Sequence, residues 1–404
     1  MNNSKKNRSH ILTQGIKDAV ATGNKLPEKN NLNSKVLSAQ EVASVFAQDE
    51  IEMLMANYKC LDTTPRALEY KLNEEVIGQE DAISLVAHVV YFNQKANFLE
   101  EVEGESPRRL NLLLVGPTGS GKTSIYNALR KNIDIPVIKY SADSITSAGY
   151  IGNKVENILA RLFEEAKCDL PLAERGIIFI DEIDKKCTQA ARDGGRDING
   201  KAVQEELLKI LEPNIIDVPL PNKKVIQFDT SRLTVIMMGA FVGLDDIKRK
   251  RLIKNSLGFK SLVSDMKEEE IEKEPYLPKD FIEFGFIPEF VGRAAKMIGV
   301  LKKLKKDKIL ELIFHGKNSP YVENTRFLAN VLNVEQQISI RFLEKIAEEL
   351  EESDTGVRDL ESKITNLFYP IIKEAFEHPN EYGICIIDEE GCFSLEYDDV
   401  TYYG

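Results

Sequence analysis

One eight-residue stretch constrains this chain more than any other: Gly116, Pro117, Thr118, Gly119, Ser120, Gly121, Lys122 and Thr123, with Ser124 next to it as a further nucleotide-binding candidate. The apolar run Leu110, Leu112, Leu113, Leu114 and Val115 precedes it, and Ile125, Tyr126, Ala128 and Leu129 follow at helical spacing. A buried strand therefore ends, and a helix begins, at a glycine-rich turn. Gly116, Gly119 and Gly121 let backbone N–H groups curl round an anion, and the start of the helix adds partial positive charge. Lys122 is placed to reach the β- and γ-phosphates of a nucleoside triphosphate, and the Thr123 hydroxyl to ligate Mg2+.

A second constraint is the segment from Ile177 to Lys185, in which four apolar residues run into Asp181 and Glu182. A continuous apolar run suits a central strand of a parallel sheet buried on both faces, and ligands of such sheets sit at the strands' carboxyl ends. Asp181 is then expected to hold the magnesium, and Glu182 to orient and deprotonate an attacking water. Pro136 to Ile138 and Leu233 to Met238 read as further strands of the same sheet. Strands alternating with helical patterns give an α/β sheet with helices on both faces. Between Asp81 and Phe98 the apolar spacing predicts one amphipathic helix, with His88 half-buried in packing.

A chain of 404 residues exceeds one compact core, so two or three domains are expected. From about Leu301 a Lys-rich linker leads to helical stretches at 309–314, 321–331 and 342–350, the last after a cap at Ser339. The segments 384–388 and 393–397, around Gly391, read as a strand pair. The expected division is a mobile arm and helical appendage over 1–63, with a capping box at Ser38 and Glu41. A parallel-sheet large domain follows over 64–299, a mostly helical small domain over 300–380, and a tail over 381–404.

The net charge of −12 argues against a general grip on nucleic acid, which needs a surplus of Lys and Arg facing phosphates. No apolar run approaches a membrane span, and the polar start lacks the apolar core of a secretory signal, so a cytoplasmic location is expected. Cys60, Cys168, Cys187, Cys385 and Cys392 are scattered without a C-x-x-C, which suits neither a disulfide framework nor a zinc site.

The ordered set VIGQE (76–80), GPTGSGKT (116–123), AGYIGNKVEN (148–157), RGIIFIDEIDK (175–185), MGAFVGLDD (238–246), GFIPEFVGR (285–293) and TGVRDL (355–360) resembles the ClpX family. These are ring-forming AAA+ protein unfoldases that feed the ClpP peptidase. The resemblance runs from about Thr64 to Phe376. It implies an AAA+ P-loop ATPase that works as a homo-hexamer on unfolded or tagged proteins, with Val76 and Ile77 packed on the adenine. It also implies catalytic roles for Lys122 and Glu182, an arginine finger at Arg293 that reaches the neighbouring subunit's γ-phosphate, and a sensor arginine at Arg358. Tyr150 and Ile151 match the pore loop that grips substrate, and residues 188–197 a second pore loop. Leu257, Gly258 and Phe259 fall where the family docks its ClpP-type peptidase.

Three departures stand beside the resemblance. The four-cysteine zinc module of the family has no counterpart, since residues 1–60 hold only Cys60. The basic loop at the pore entrance is shortened, with only Lys223 and Lys224 between Pro213 and Gln227. Lys201 and Ala202 replace the family's Glu and Gly. Two other readings remain open on the sequence: a remodeller that works without a peptidase, and a nucleic-acid motor of the same fold.

Overall fold

The computed structural model describes residues 58, 64–104, 108–145, 154–187, 198–221, 224–255, 271, 273–317, 319–353, 355–379 and 381–397. The helix expected from Ser38, the loop residues Tyr150 and Ile151, the segment 188–197 and Leu257, Gly258 and Phe259 lie outside them.

Helix α1 (Pro65–Asn73) starts where Thr64 caps it: the hydroxyl accepts from Ala67 N–H, and Pro65 takes the first helical position. Then come α2 (Glu80–Glu103), β1 (Leu112–Val115), α3 (Lys122–Asn132), β2 (Val137–Ser141), α4 (Val155–Glu165), α5 (Leu170–Glu174) and β3 (Ile177–Asp181). The chain continues through α6 (Ile198–Leu211), β4 (Ile215–Pro219), β5 (Val225–Asp229), β6 (Thr234–Gly239), α7 (Leu244–Asn255), α8 (Pro278–Phe284), α9 (Pro288–Ala294) and β7 (Met297–Val300).

Among the described residues, five strands form one parallel sheet in the order β2-β3-β6-β1-β7. Side chains alternate across a strand, and the sequence uses both faces. Leu113, Val115, Ile178, Ile180, Val235 and Met237 enter the core on one side; Leu112, Leu114, Ile177, Phe179, Ile236 and Met238 enter the core on the other. This is why these strands read as unbroken apolar runs. The order places the ends of β1, β6 and β3 side by side, and that edge carries the chemistry.

Helix α2 departs from the expected amphipathic pattern. Ala82, Ile83, Val86, Ala87, Val89 and Val90 are buried, and so are the polar Asn93, Gln94 and Asn97, which leaves little of its circumference to solvent. Those amides serve as connectors, each donating to a backbone carbonyl: Asn93 to Leu110, Gln94 to Arg175 and Asn97 to Arg232. Buried amides must be bonded, and here the partners are loop carbonyls with no ladder of their own. His88, expected half-buried, is exposed, and its Nδ1 lies 2.7 Å from Ser84 O. The segment read as a shortened loop forms the antiparallel hairpin β4-β5.

A second body follows: α10 (Lys306–His315), α11 (Pro320–Val331), β8 (Glu335–Ile338), α12 (Ile340–Glu352), α13 (Leu360–Glu377), β9 (Tyr382–Ile387) and β10 (Phe393–Tyr397). Strand β9 pairs antiparallel with β10 and parallel with β8. Cys385 and Ile387 of β9 share one core with Ile309, Leu343, Ile364 and Phe368, so these strands belong to the helical body and do not trail from it. The passage between bodies is short: Leu301 is buried in the first core and Leu304 in the second.

Candidate functional site

A cleft of about 600 Å³ lies where the two bodies meet. One wall is Thr118, Gly119, Gly121, Lys122, Thr123 and Ser124 with Asp181, Glu182 and Asp184; the other brings Lys317, Val357 and Arg358 from the helical body. Close approach builds the junction. At Gly119 (φ +76°) a β-carbon would sit 2.2 Å from Thr355 O, so only glycine lets the loop touch the second body.

The loop itself is prepared for an anion. Gly119 and Gly121 hold positive φ angles, +76° and +95°, on the stretch that lines the cleft between Thr118 and Lys122. The Lys122 ammonium donates to Gly116 O, and to Pro117 O at 2.7 Å. Its burial, helped by the Arg358 guanidinium, holds its pKa below the ordinary lysine value, against the pull of Asp181 and Asp184. A cation held in this way gains when an anionic ligand arrives.

The carboxylates follow from the end of β3. Asp181 accepts from Glu182 N–H at 2.9 Å, and Lys139 Nζ lies 3.8 Å from it. Glu182 sits at φ +59°, a left-handed conformation that costs a residue with a β-carbon about 1 kcal/mol. Its side chain accepts from Ser141 Oγ at 3.2 Å and pairs with Lys185 at 2.8 Å. Asp184 was not anticipated from sequence. It reaches the end of β6, where it accepts from Phe241 N–H at 3.1 Å, and it lies among the cleft residues. The carboxyls, the Thr123 hydroxyl and the anion-ready loop form an oxygen donor set suited to a hard divalent cation beside phosphates.

Of the other expected residues, Arg358 lines the cleft from the second body. Val76 is buried behind the loop, against Gly121, and Ile77 is half-buried; neither is among the residues lining the cleft. Arg293, at the end of α9, lies elsewhere: it pairs with Glu212 at 2.7 Å and lines a separate cleft with Arg108, Arg109 and Lys296. Sequence reading also passed over Gln79, whose buried amide ties the phosphate loop to the passage between bodies. Its signal was the position itself, a glutamine between a turn glycine and a helix start.

A parallel sheet with a phosphate loop after β1 and paired acids after β3 defines a P-loop ATPase of the AAA class. The family described as AAA domain (Cdc48 subfamily) matches residues 108–297. The ATP-dependent Clp protease ATP-binding subunits ClpX of Borrelia duttonii (strain Ly) and of Borrelia recurrentis (strain A1) are each 37% identical to this chain over 332 residues, 80% of this chain and 76% of theirs. The corresponding subunit of Treponema denticola is 34% identical over 330 residues, 79% of this chain and 78% of its own. The chain belongs to the ClpX family. It is an ATPase, and no described helix is long and apolar enough to cross a membrane.

Proposed function

We propose that this chain is the ATP-binding subunit of a Clp-type protease system, a homo-hexameric unfoldase that threads polypeptide through its centre. The observation that carries this reading is the separation of the two arginines. Arg358 lines the chain's own nucleotide cleft, whereas Arg293 lines a different one, where its partner Glu212 is half-exposed to solvent. An arginine that acts only across a head-to-tail contact makes hydrolysis depend on a closed ring.

In this reading residues 64–299 are the large domain, the helical body from residue 300 together with strands β9 and β10 is the small one, and the nucleotide between them sets their angle. Lys122 exchanges the Gly116 and Pro117 carbonyls for the β- and γ-phosphates. Thr123 and Asp181 would hold a magnesium ion, which when bound neutralises phosphate charge. Glu182 takes the proton of the attacking water, and Lys185 and Ser141 hold its carboxylate in place. Arg293 of one copy and Arg358 of the next supply fixed positive charge as the phosphoryl group departs. Closure of the small domain then moves the loop bearing Tyr150 and Ile151 against the threaded chain.

The test is an unfolding assay on a tagged, stably folded substrate. Tyr150→Ala should abolish unfolding while ATP turnover continues; undiminished unfolding would remove the threading role. Deleting Leu257 to Phe259 should leave turnover intact and abolish co-purification with a ClpP-type peptidase. Unchanged co-purification would take docking away from this segment.

A further inference from the structure

The face of the molecule that carries Arg293 holds more positive charge than one arginine accounts for. A cleft of about 700 Å³ is lined by Arg108, Arg109, Arg293 and Lys296 against two carboxylates, Glu100 and Glu212. This excess of cations sits in a chain of net charge −12. Two of the four are neutralised in place, Arg109 by Glu100 and Arg293 by Glu212. Among the described residues Arg108 makes no ion pair, and Lys296 reaches only a backbone oxygen, Arg109 O, at 2.8 Å. Partial withdrawal of the Lys296 ammonium from solvent, together with the Arg108 and Arg293 guanidiniums, holds its pKa below the ordinary lysine value. The Asn111 amide donates to Arg293 O at 2.9 Å, so the start of β1 and the end of α9 are fixed relative to one another. Like charges held together on fixed backbone are the arrangement of a site that receives an anion.

We propose that Lys296 and Arg108 join Arg293 in receiving the terminal phosphates of a nucleotide held by a second copy of this chain, forming a three-cation acceptor across the subunit contact. This rests on the reading of Arg293 as acting on a neighbour's nucleotide. Lys296 stands three residues beyond Arg293, across the exit of α9 into β7, and Arg108 lies on the approach to β1, which pairs with β7. Phosphate oxygens are the chemistry that two cations with no carboxylate partner among the described residues would take up.

The experiment measures steady-state ATP hydrolysis by the assembled full-length chain, with assembly state followed by sedimentation. Lys296→Gln and Arg108→Gln should each lower kcat by about fivefold at unchanged assembly, and Lys296→Arg should restore most of it. Mixing Lys296→Gln subunits with Lys122→Ala subunits should raise turnover above that of either alone. Some contacts then pair a competent nucleotide site with an intact acceptor. Wild-type kcat in both Gln variants, or loss that mixing does not repair, overturns the proposal. Arg293→Ala run in parallel separates the two readings. If it is inactive while both Gln variants turn over at the wild-type rate, only the added cations fail; if it hydrolyses normally, the reading of Arg293 fails and takes this one with it. Enhanced binding of inorganic tripolyphosphate to unassembled Lys122→Ala chains, abolished by Lys296→Gln, would assign the cleft to free anions and overturn the second-copy assignment.

Discussion

Gln79 is bonded twice to Lys302: its Nε2 donates to Lys302 O at 2.8 Å, and its Oε1 accepts from Lys302 N–H at 3.0 Å. The same Nε2 donates to Ser120 O at 2.9 Å. One buried amide thus holds the phosphate loop and the start of the passage into the second body at a fixed separation. Gln79→Ala removes three hydrogen bonds and leaves their backbone partners dry. At about 1 kcal/mol each, the chain should lose about 3 kcal/mol, read as a lower urea midpoint. The KM for ATP should rise as well. An unchanged midpoint would show that water replaces the amide.

Glu182→Gln keeps the shape of the side chain and removes its capacity to accept a proton. Turnover should fall about a hundredfold or more, the usual contribution of a positioned general base, while nucleotide affinity stays within about threefold. Binding calorimetry beside a phosphate-release assay checks both halves. Hydrolysis at the normal rate would pass the base role to another group.

Gly239 matters for what stands beside it. A β-carbon there would lie 2.4 Å from Asp184 Oδ1 and 2.8 Å from the Phe241 ring. Gly239→Ala should therefore push Asp184 out of its bond to Phe241 N–H and cut kcat by about tenfold, with modest loss of stability. Asp184→Asn, which creates no clash, should also lower kcat if the carboxylate itself is used. A normal rate in Asp184→Asn with a defect in Gly239→Ala would reduce the effect to backbone displacement.

The four described cysteines should divide by burial. Cys168 and Cys392 are exposed, and Cys187 and Cys385 are buried. Burial raises the Cys187 thiol, and raises Cys385 from 9.0 to about 11. The thiolate is the reactive form, so peptide mapping after a brief maleimide pulse should find Cys168 and Cys392 modified and the other two spared until unfolding. Sign follows from linkage: above about pH 9 the unfolded Cys385 sheds a proton that the folded one keeps. Its contribution should therefore weaken stability progressively up to about pH 11. Rapid labelling of Cys385 in the native chain would mean that the β8-β9-β10 sheet opens readily.

Much of this architecture was readable from residue order. The strands of the parallel sheet announce themselves because both faces are buried and apolar residues are needed at every position, as in Ile177 to Ile180. The phosphate loop and the Asp181–Glu182 pair follow from the chemistry that needs them. Helix α2 is legible as a helix, but its buried face is wider than the sequence shows because its amides look polar; only the fold supplies the carbonyls that make Asn93, Gln94 and Asn97 interior residues. Asp184 was overlooked for a related reason, since its partner is a backbone N–H fifty-seven positions away. The hairpin β4-β5 was hidden by exposed Ile215 and Val225, which blur its alternation.

The contact at Gly119 has a mechanical corollary. Backbone touches backbone there, at Thr355, without a compliant side chain between to absorb displacement. A fraction of an ångström gained or lost at the loop passes undamped to the segment bearing Arg358, so this seam meshes the two bodies as a gear tooth would.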